Sequence, residues 1–153
     1  MRMVDVASSP HVSYAFEDLE LGMSASFTQV IERSDIDAFA KLCGDYNPVH
    51  VDPAYAATTL FKDCIAHGIL TGSLISTVFG MKLPGAGAIY VSQTFNFRAP
   101  VYAGDRITAH VEVMELYPAK SRVKFKCWCT NQSGRDVLLG EAILMVPLRN
   151  ATS

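Results

Sequence analysis

Cys64-Ile65-Ala66-His67-Gly68-Ile69-Leu70-Thr71-Gly72-Ser73-Leu74-Ile75-Ser76-Thr77-Val78-Phe79-Gly80-Met81 is the stretch whose reading decides the fold. Its large apolar residues, Ile65, Ile69, Leu70, Leu74, Ile75, Val78 and Phe79, recur at helical spacing, with small residues between them. A helix apolar around most of its circumference is a buried one. Downstream, Pro84-Gly85 breaks the pattern, and residues 89–98, 106–116, 122–130 and 137–146 are strand-like runs rich in Val, Ile and aromatics. Tyr117-Pro118 and Ser133-Gly134 separate the later runs, and Val91, Phe95 and Phe97 share one parity of the first. Upstream, Phe27, Val30 and Ile31 among polar residues predict a strand over 22–33. Ser34 followed by Asp37 resembles a capping box, opening a short helix that carries Ile36, Phe39, Ala40 and Leu42 and stops at Gly44. One strand, a buried helix and then an antiparallel meander make an α+β pattern.

The chain has 153 residues, enough for one domain with a sizeable core. We expect a loose N-terminus over 1–13 and a single domain over 14–150. A net charge of -2 leaves no basic footprint, which argues against nucleic acid but not against an anionic ligand held by a local patch. No apolar run approaches the roughly 18 residues that span a bilayer. Residues 1–13 carry one Arg2 and no long apolar stretch, so they do not read as a signal peptide, and a cytoplasmic location is expected by default. Cys43, Cys64, Cys127 and Cys129 lack zinc-site spacing and are expected to be buried, reduced thiols.

Asp45-Tyr46-Asn47-Pro48-Val49-His50 is too polar for core, and Pro48 is expected to hold it away from helix. Asp52 then caps a helical turn with Pro53 at its first position. A carboxylate and an imidazole flanking one water can divide the work of a hydration. One group deprotonates the water while the other manages the proton at the alkene carbon. Asn47 can hold the water's remaining lone pair or proton. Residue chemistry alone leaves a second reading open: Asp and Asn also form turns, and His50 could be an ordinary surface residue.

The stretch from Gly44 through Ala56 resembles the hydratase motif of the MaoC-like (R)-specific enoyl-CoA hydratases, roughly G-D-x-N-P-[ILV]-H. Ala66-His67-Gly68-Ile69-Leu70 is similar to the family's H-G-[ML] segment. Leu83-Pro84-Gly85 and the stretch from Phe97 to Asp105 match its later signatures. The resemblance spans about 16–146 and implies the hotdog fold, a curved antiparallel sheet wrapped around a long helix. It implies that Asp45 and His50 are the catalytic acid/base pair, that Asn47 helps hold the water, and that the Gly68 N–H meets the thioester carbonyl. A helix N-terminus is a physically sound place for such an oxyanion. Ser76 would line the acyl pocket, and His67 would neighbour the substrate as a hydrogen-bonding residue rather than a second base.

The reaction so implied is reversible hydration of trans-2-enoyl-CoA to (R)-3-hydroxyacyl-CoA, with no metal or redox cofactor. Lys62, Lys82 and Arg98 are candidates to meet the CoA phosphates. A dehydratase acting on 3-hydroxyacyl chains of acyl carrier protein would share the same motif. A hotdog thioesterase fits less well, because its lone carboxylate is missing from residues 64–81. A non-catalytic acyl-thioester-binding module is disfavoured by the intact Asp45, Asn47 and His50. Sheet edges and an apolar helix face left uncovered by one chain predict a homodimer.

Overall fold

The computed structural model describes residues 11–150. Residues 1–10 of the expected loose N-terminus lie outside them, whereas Val12 and Ser13 are tied down. Ser13 bridges Gly85, and the Ala86 N–H donates to Val12 O at 2.7 Å.

The first strand, β1 (Ser24–Val30), alternates exposed Ser24, Ser26 and Thr28 with half-buried Ala25, Phe27 and Gln29. It leads into α1 (Arg33–Cys43) two residues earlier than the Ser34–Asp37 pair suggested. Glu32 is the N-cap, and its N–H donates to the Asp35 carboxylate at 2.8 Å. Ile36 and Ala40 are buried as expected, but Leu42 is 85% exposed. Gly44, at φ 81, ends the helix in a left-handed conformation suited to glycine.

Pro48 starts a helical turn where it was expected to prevent one. α2 (Pro48–Val51) has Pro48 at its first position, where the missing N–H costs nothing and the fixed φ is already helical. Asn47 caps it, and Asp52 caps α3 (Pro53–Ala57), accepting from the Tyr55 N–H at 3.2 Å.

The central helix, α4 (Gly68–Met81), begins at Gly68 rather than Cys64. The residues before it are pulled into extended pairing, with the Ala66 N–H donating to Val101 O at 2.7 Å and Ile65 bridging Tyr102. Thr71, Gly72, Leu74, Ile75, Val78 and Phe79 are buried, whereas Ile69, Ser73, Ser76, Gly80 and Met81 are exposed. The described residues therefore cover the helix on one side only.

The sheet comprises β1, β2 (Ile89–Gln93), β3 (Asn96–Phe97), β4 (Arg106–Tyr117), β5 (Arg122–Thr130) and β6 (Asp136–Met145). Its order is β1-β4-β5-β6-β2, with β3 also pairing β6 and every pairing antiparallel. Inward residues of β4, β5 and β6 such as Val111, Val113, Val123, Phe125, Leu138 and Leu144 are buried with Ile75, Val78 and Phe79 of α4. Phe79 meets Phe125 edge to face at 4.9 Å. This is the expected hotdog arrangement.

Cys127 and Cys129 share the inner face of β5, and burial pushes both thiols up to about 12. Cys64 is buried too, but Cys43 is exposed, contrary to expectation.

The run expected over 89–98 is two strands, because Thr94 leaves the ladder and packs on Gly140. The Thr94 N–H still donates to Glu141 O at 2.8 Å. A Cβ at residue 140 would lie 2.0 Å from Thr94 O. Backbone cannot yield as a side-chain tip can, so Gly140→Ala is expected to destabilise the fold by about 1–3 kcal/mol, the range for overpacking. A denaturant midpoint equal to that of the wild type would contradict this packing.

Candidate active site

The loop between α1 and α2 is built from interlocking short-range bonds. The Asn47 N–H donates to Asp45 Oδ1 at 3.1 Å, and the Val49 N–H donates to Asn47 Oδ1 at 3.2 Å. The side-chain oxygen of Asn47 is therefore engaged in capping, and its NH2 remains as the group able to donate to a water. The loop is anchored from outside as well: the Arg33 guanidinium donates to Val51 O at 2.9 Å, and the Ile65 N–H to Val49 O at 3.2 Å.

His50 has a defined tautomer. Its Nδ1 lies 2.7 Å from Ile65 O, and a carbonyl oxygen only accepts, so Nδ1 carries the proton. The neutral ring then keeps its lone pair on Nε2, the form a general base requires. Half-buried, the ring lines a cavity of about 450 Å³ with Ile65, Gly68, Ile69, Phe97 and Arg98. Asp45 is exposed beside it. One polar atom each of Asp45, His50 and His67 falls within 4.8 Å of the others. The same three are the grouping among the described residues whose spacing could suit a metal ion. One nitrogen of each imidazole faces a carbonyl oxygen, which leaves Nε2 of His50 as the ring nitrogen turned away from the main chain toward its neighbours.

Gly68 is the first residue of α4, with His67 as N-cap. The Thr71 N–H closes the first turn on His67 O at 3.3 Å, so the N–H groups of residues 68–70 precede the helix's own acceptors and carry its positive dipole end. Gly68 also lies under the Phe97 ring, where a Cβ would come within 2.5 Å of a ring carbon. One helical turn on, a Cβ at Gly72 would meet the Phe95 ring at the same distance. Two glycines one turn apart thus receive two phenylalanines two residues apart, Phe95 just before β3 and Phe97 on it. The sequence reading placed both rings in a strand face, but Phe97 is 55% exposed and forms a wall of the cavity. The matched spacings, Gly68/Gly72 against Phe95/Phe97, were the available signal.

The remaining candidates divide. Arg98 lines the cavity, and exposed Lys62 follows Phe61, which lines it too. Lys82 is placed elsewhere: it follows the last residue of α4, about 20 Å along the helix from Gly68. Its ammonium donates to Ser26 O at 2.6 Å. Ser76 lines an adjoining recess of about 370 Å³ with Gly72, Tyr90, Val91 and Phe95, and Ile69 is common to both spaces. His67 is buried behind His50 and is not on the cavity wall. A larger groove of about 750 Å³ runs between α4, β1 and α1, but it contains none of Asp45, Asn47 and His50.

Comparison with known proteins matches this arrangement. The chain is 50% identical over 138 residues to an (R)-specific enoyl-CoA hydratase of Rhodospirillum rubrum, covering 90% of this chain and 95% of that one. It is 48% identical over 133 residues to a 3-hydroxybutyryl-CoA dehydratase of Methylorubrum extorquens, covering 86% and 83%. An unliganded R-hydratase from Pseudomonas aeruginosa superposes with a TM-score of 0.86 at 45% identity, covering 92% of this chain and 90% of that one. Residues 18–133 match the family described as MaoC like domain, and the chain belongs to that family.

Proposed function

We propose that the protein is an (R)-specific enoyl-CoA hydratase, reversibly converting trans-2-enoyl-CoA to (R)-3-hydroxyacyl-CoA. The observation that carries this reading is the convergence of three features: a His50 held as the Nδ1–H tautomer and the N-terminus of α4 line one cavity, and the Asp45 carboxylate stands within 4.8 Å of His50.

In this reading the Gly68 N–H donates to the thioester oxygen and stabilises the enolate-like charge that develops there. The β-carbon becomes electrophilic. A water held by Asp45, His50 and the Asn47 NH2 attacks it. One water O–H bond breaks, its proton passing to the Asp45/His50 pair, and a C–O bond forms at the β-carbon. A proton from the pair then forms the C–H bond at the α-carbon on the same face, which regenerates the site. Water and the CoA thioester are the non-protein groups this chemistry uses.

The acyl chain would run from Gly68 along the exposed side of α4, past Gly72 to the Ser76 recess. Arg98 and Lys62 stand at the end suited to the nucleotide phosphates, and Lys82 drops out of that role. His67 supports the site from behind rather than touching substrate. We assign the working unit as a homodimer, because the same exposed side of α4 and the β2 edge are left uncovered by the described residues of one chain. CoA is favoured over acyl carrier protein as the carrier, because a chain of net charge -2 offers no large basic surface to an acidic protein.

The direct test is hydration of crotonyl-CoA, followed by loss of the conjugated-thioester absorbance and chiral analysis of the product. The expected product is (R)-3-hydroxybutyryl-CoA; mainly (S) product, or no reaction, would overturn the assignment.

A further inference from the structure

His67 touches both halves of the catalytic pair without facing the cavity. Its Nε2 lies 2.9 Å from the main-chain oxygen of Asp45, and its ring stacks on His50 with centroids 3.9 Å apart and planes 26° apart. Phe39 of α1 closes the other side, tilted, at 4.9 Å. The ring is 3% exposed, and Nδ1 has no hydrogen-bond partner among the described residues.

These contacts determine its chemical form. The Asp45 oxygen can only accept, so Nε2 carries a proton. A second proton would have to sit on Nδ1, creating a buried cation with an unpaired donor, face to face with His50. Both features are unfavourable. Phe39 contributes no charge, and Asp45 and His50 each bring one polar atom within 4.8 Å of one of His67. In its neutral form the ring therefore carries its proton on Nε2 and turns the Nδ1 lone pair into the protein.

We propose that His67 is a positioning residue for the hydration step, acting through two separable contacts. Its N–H fixes the main chain of Asp45, and with it the reach of the carboxylate. Its neutral π face backs His50, holding that ring in plane and facing the positive charge that His50 acquires on taking the water's proton. Residues 22 positions apart are thereby held as one unit. The proposal rests on the hydratase reading and deepens it.

Two variants separate the contacts. His67→Phe keeps a ring against His50 and removes the hydrogen bond; His67→Gln keeps an N–H donor and removes the ring. Each is expected to lower kcat about tenfold while changing KM by less than about twofold, since a small misplacement of the reacting groups carries a cost of this order. The losses should not add to those of Asp45→Asn or His50→Ala, because a residue that acts through a partner has nothing left to position once the partner is gone.

Wild-type kcat in both variants would overturn the proposal. So would losses that multiply fully with those of Asp45→Asn and His50→Ala, because that pattern marks a general structural role. A wild-type enzyme that hydrates no enoyl-CoA would instead refute the hydratase reading. In that case 15N imidazole spectra still test the geometry: the Nε2–H tautomer supports it, and an Nδ1–H tautomer overturns it.

Discussion

Asp45→Asn and His50→Ala are each expected to lower kcat for crotonyl-CoA hydration by at least about 10²-fold, the lower end of general acid–base contributions. The asparagine variant is the cleaner of the two. It keeps an oxygen that can accept from the Asn47 N–H, so the loop geometry should persist while the carboxylate's charge and basicity are lost. His50→Ala removes more than a base, because it also cuts the bond to Ile65 O and uncovers the His67 ring. His50→Asn, whose amide nitrogen can stand near the Nδ1 position, separates loss of the base from loss of that tether. Initial rates of absorbance loss, with circular dichroism to confirm folding, decide the matter. A folded Asp45→Asn enzyme with near-normal turnover would place the chemistry on other residues.

The parts of this site legible in the sequence are those set by local chain chemistry. Asp45, Asn47 and His50 fall within six residues, and the small and proline residues around them fix a loop whatever packs against it. The strands were legible for a related reason: alternating burial along β4 and β5 follows from a sheet covered on its inner face. Apart from Pro48, whose role turns on its place beside the Asn47 cap, the features that differ depend on neighbours distant in sequence. The start of α4 was placed at Cys64 because apolar spacing continues to Ile65, but pairing with residues 101–102 outbids helix there. Leu42 fits the apolar stripe of α1, yet nothing among the described residues covers it. Pro48 was read as a helix breaker when only its position decides between breaking a helix and starting one. The role of His67 was the least visible, because its partners lie 22 and 17 residues upstream and the ring contact exists only once the loop has closed over α4.

Ile89→Lys is expected to weaken dimerisation about 10²-fold and to lower activity in step with apparent mass. β2 ends the sheet order, so one side of it has no strand partner among the described residues. Ile89 and Val91 on that strand, with Ile69 on α4 and Phe97 on β3, are between 42% and 57% exposed. An apolar strand edge beside an apolar helix face is the kind of surface that chains either pair or protect with charge, and here the charge is missing. Ile69, Val91 and Phe97 also line the two spaces assigned to the thioester and the acyl chain. A second subunit seated on this face would therefore roof the substrate channel, which ties assembly to turnover. Ile89 lines neither space, so its substitution tests assembly without touching the proposed substrate walls. A lysine buried without a counter-charge at such an interface costs about 2–5 kcal/mol, which contains the 10²-fold weakening. Light scattering and activity measured over one dilution series should fall together, earlier in Ile89→Lys than in the wild type. A monomer that keeps full activity at assay concentration would show that one chain completes its own site.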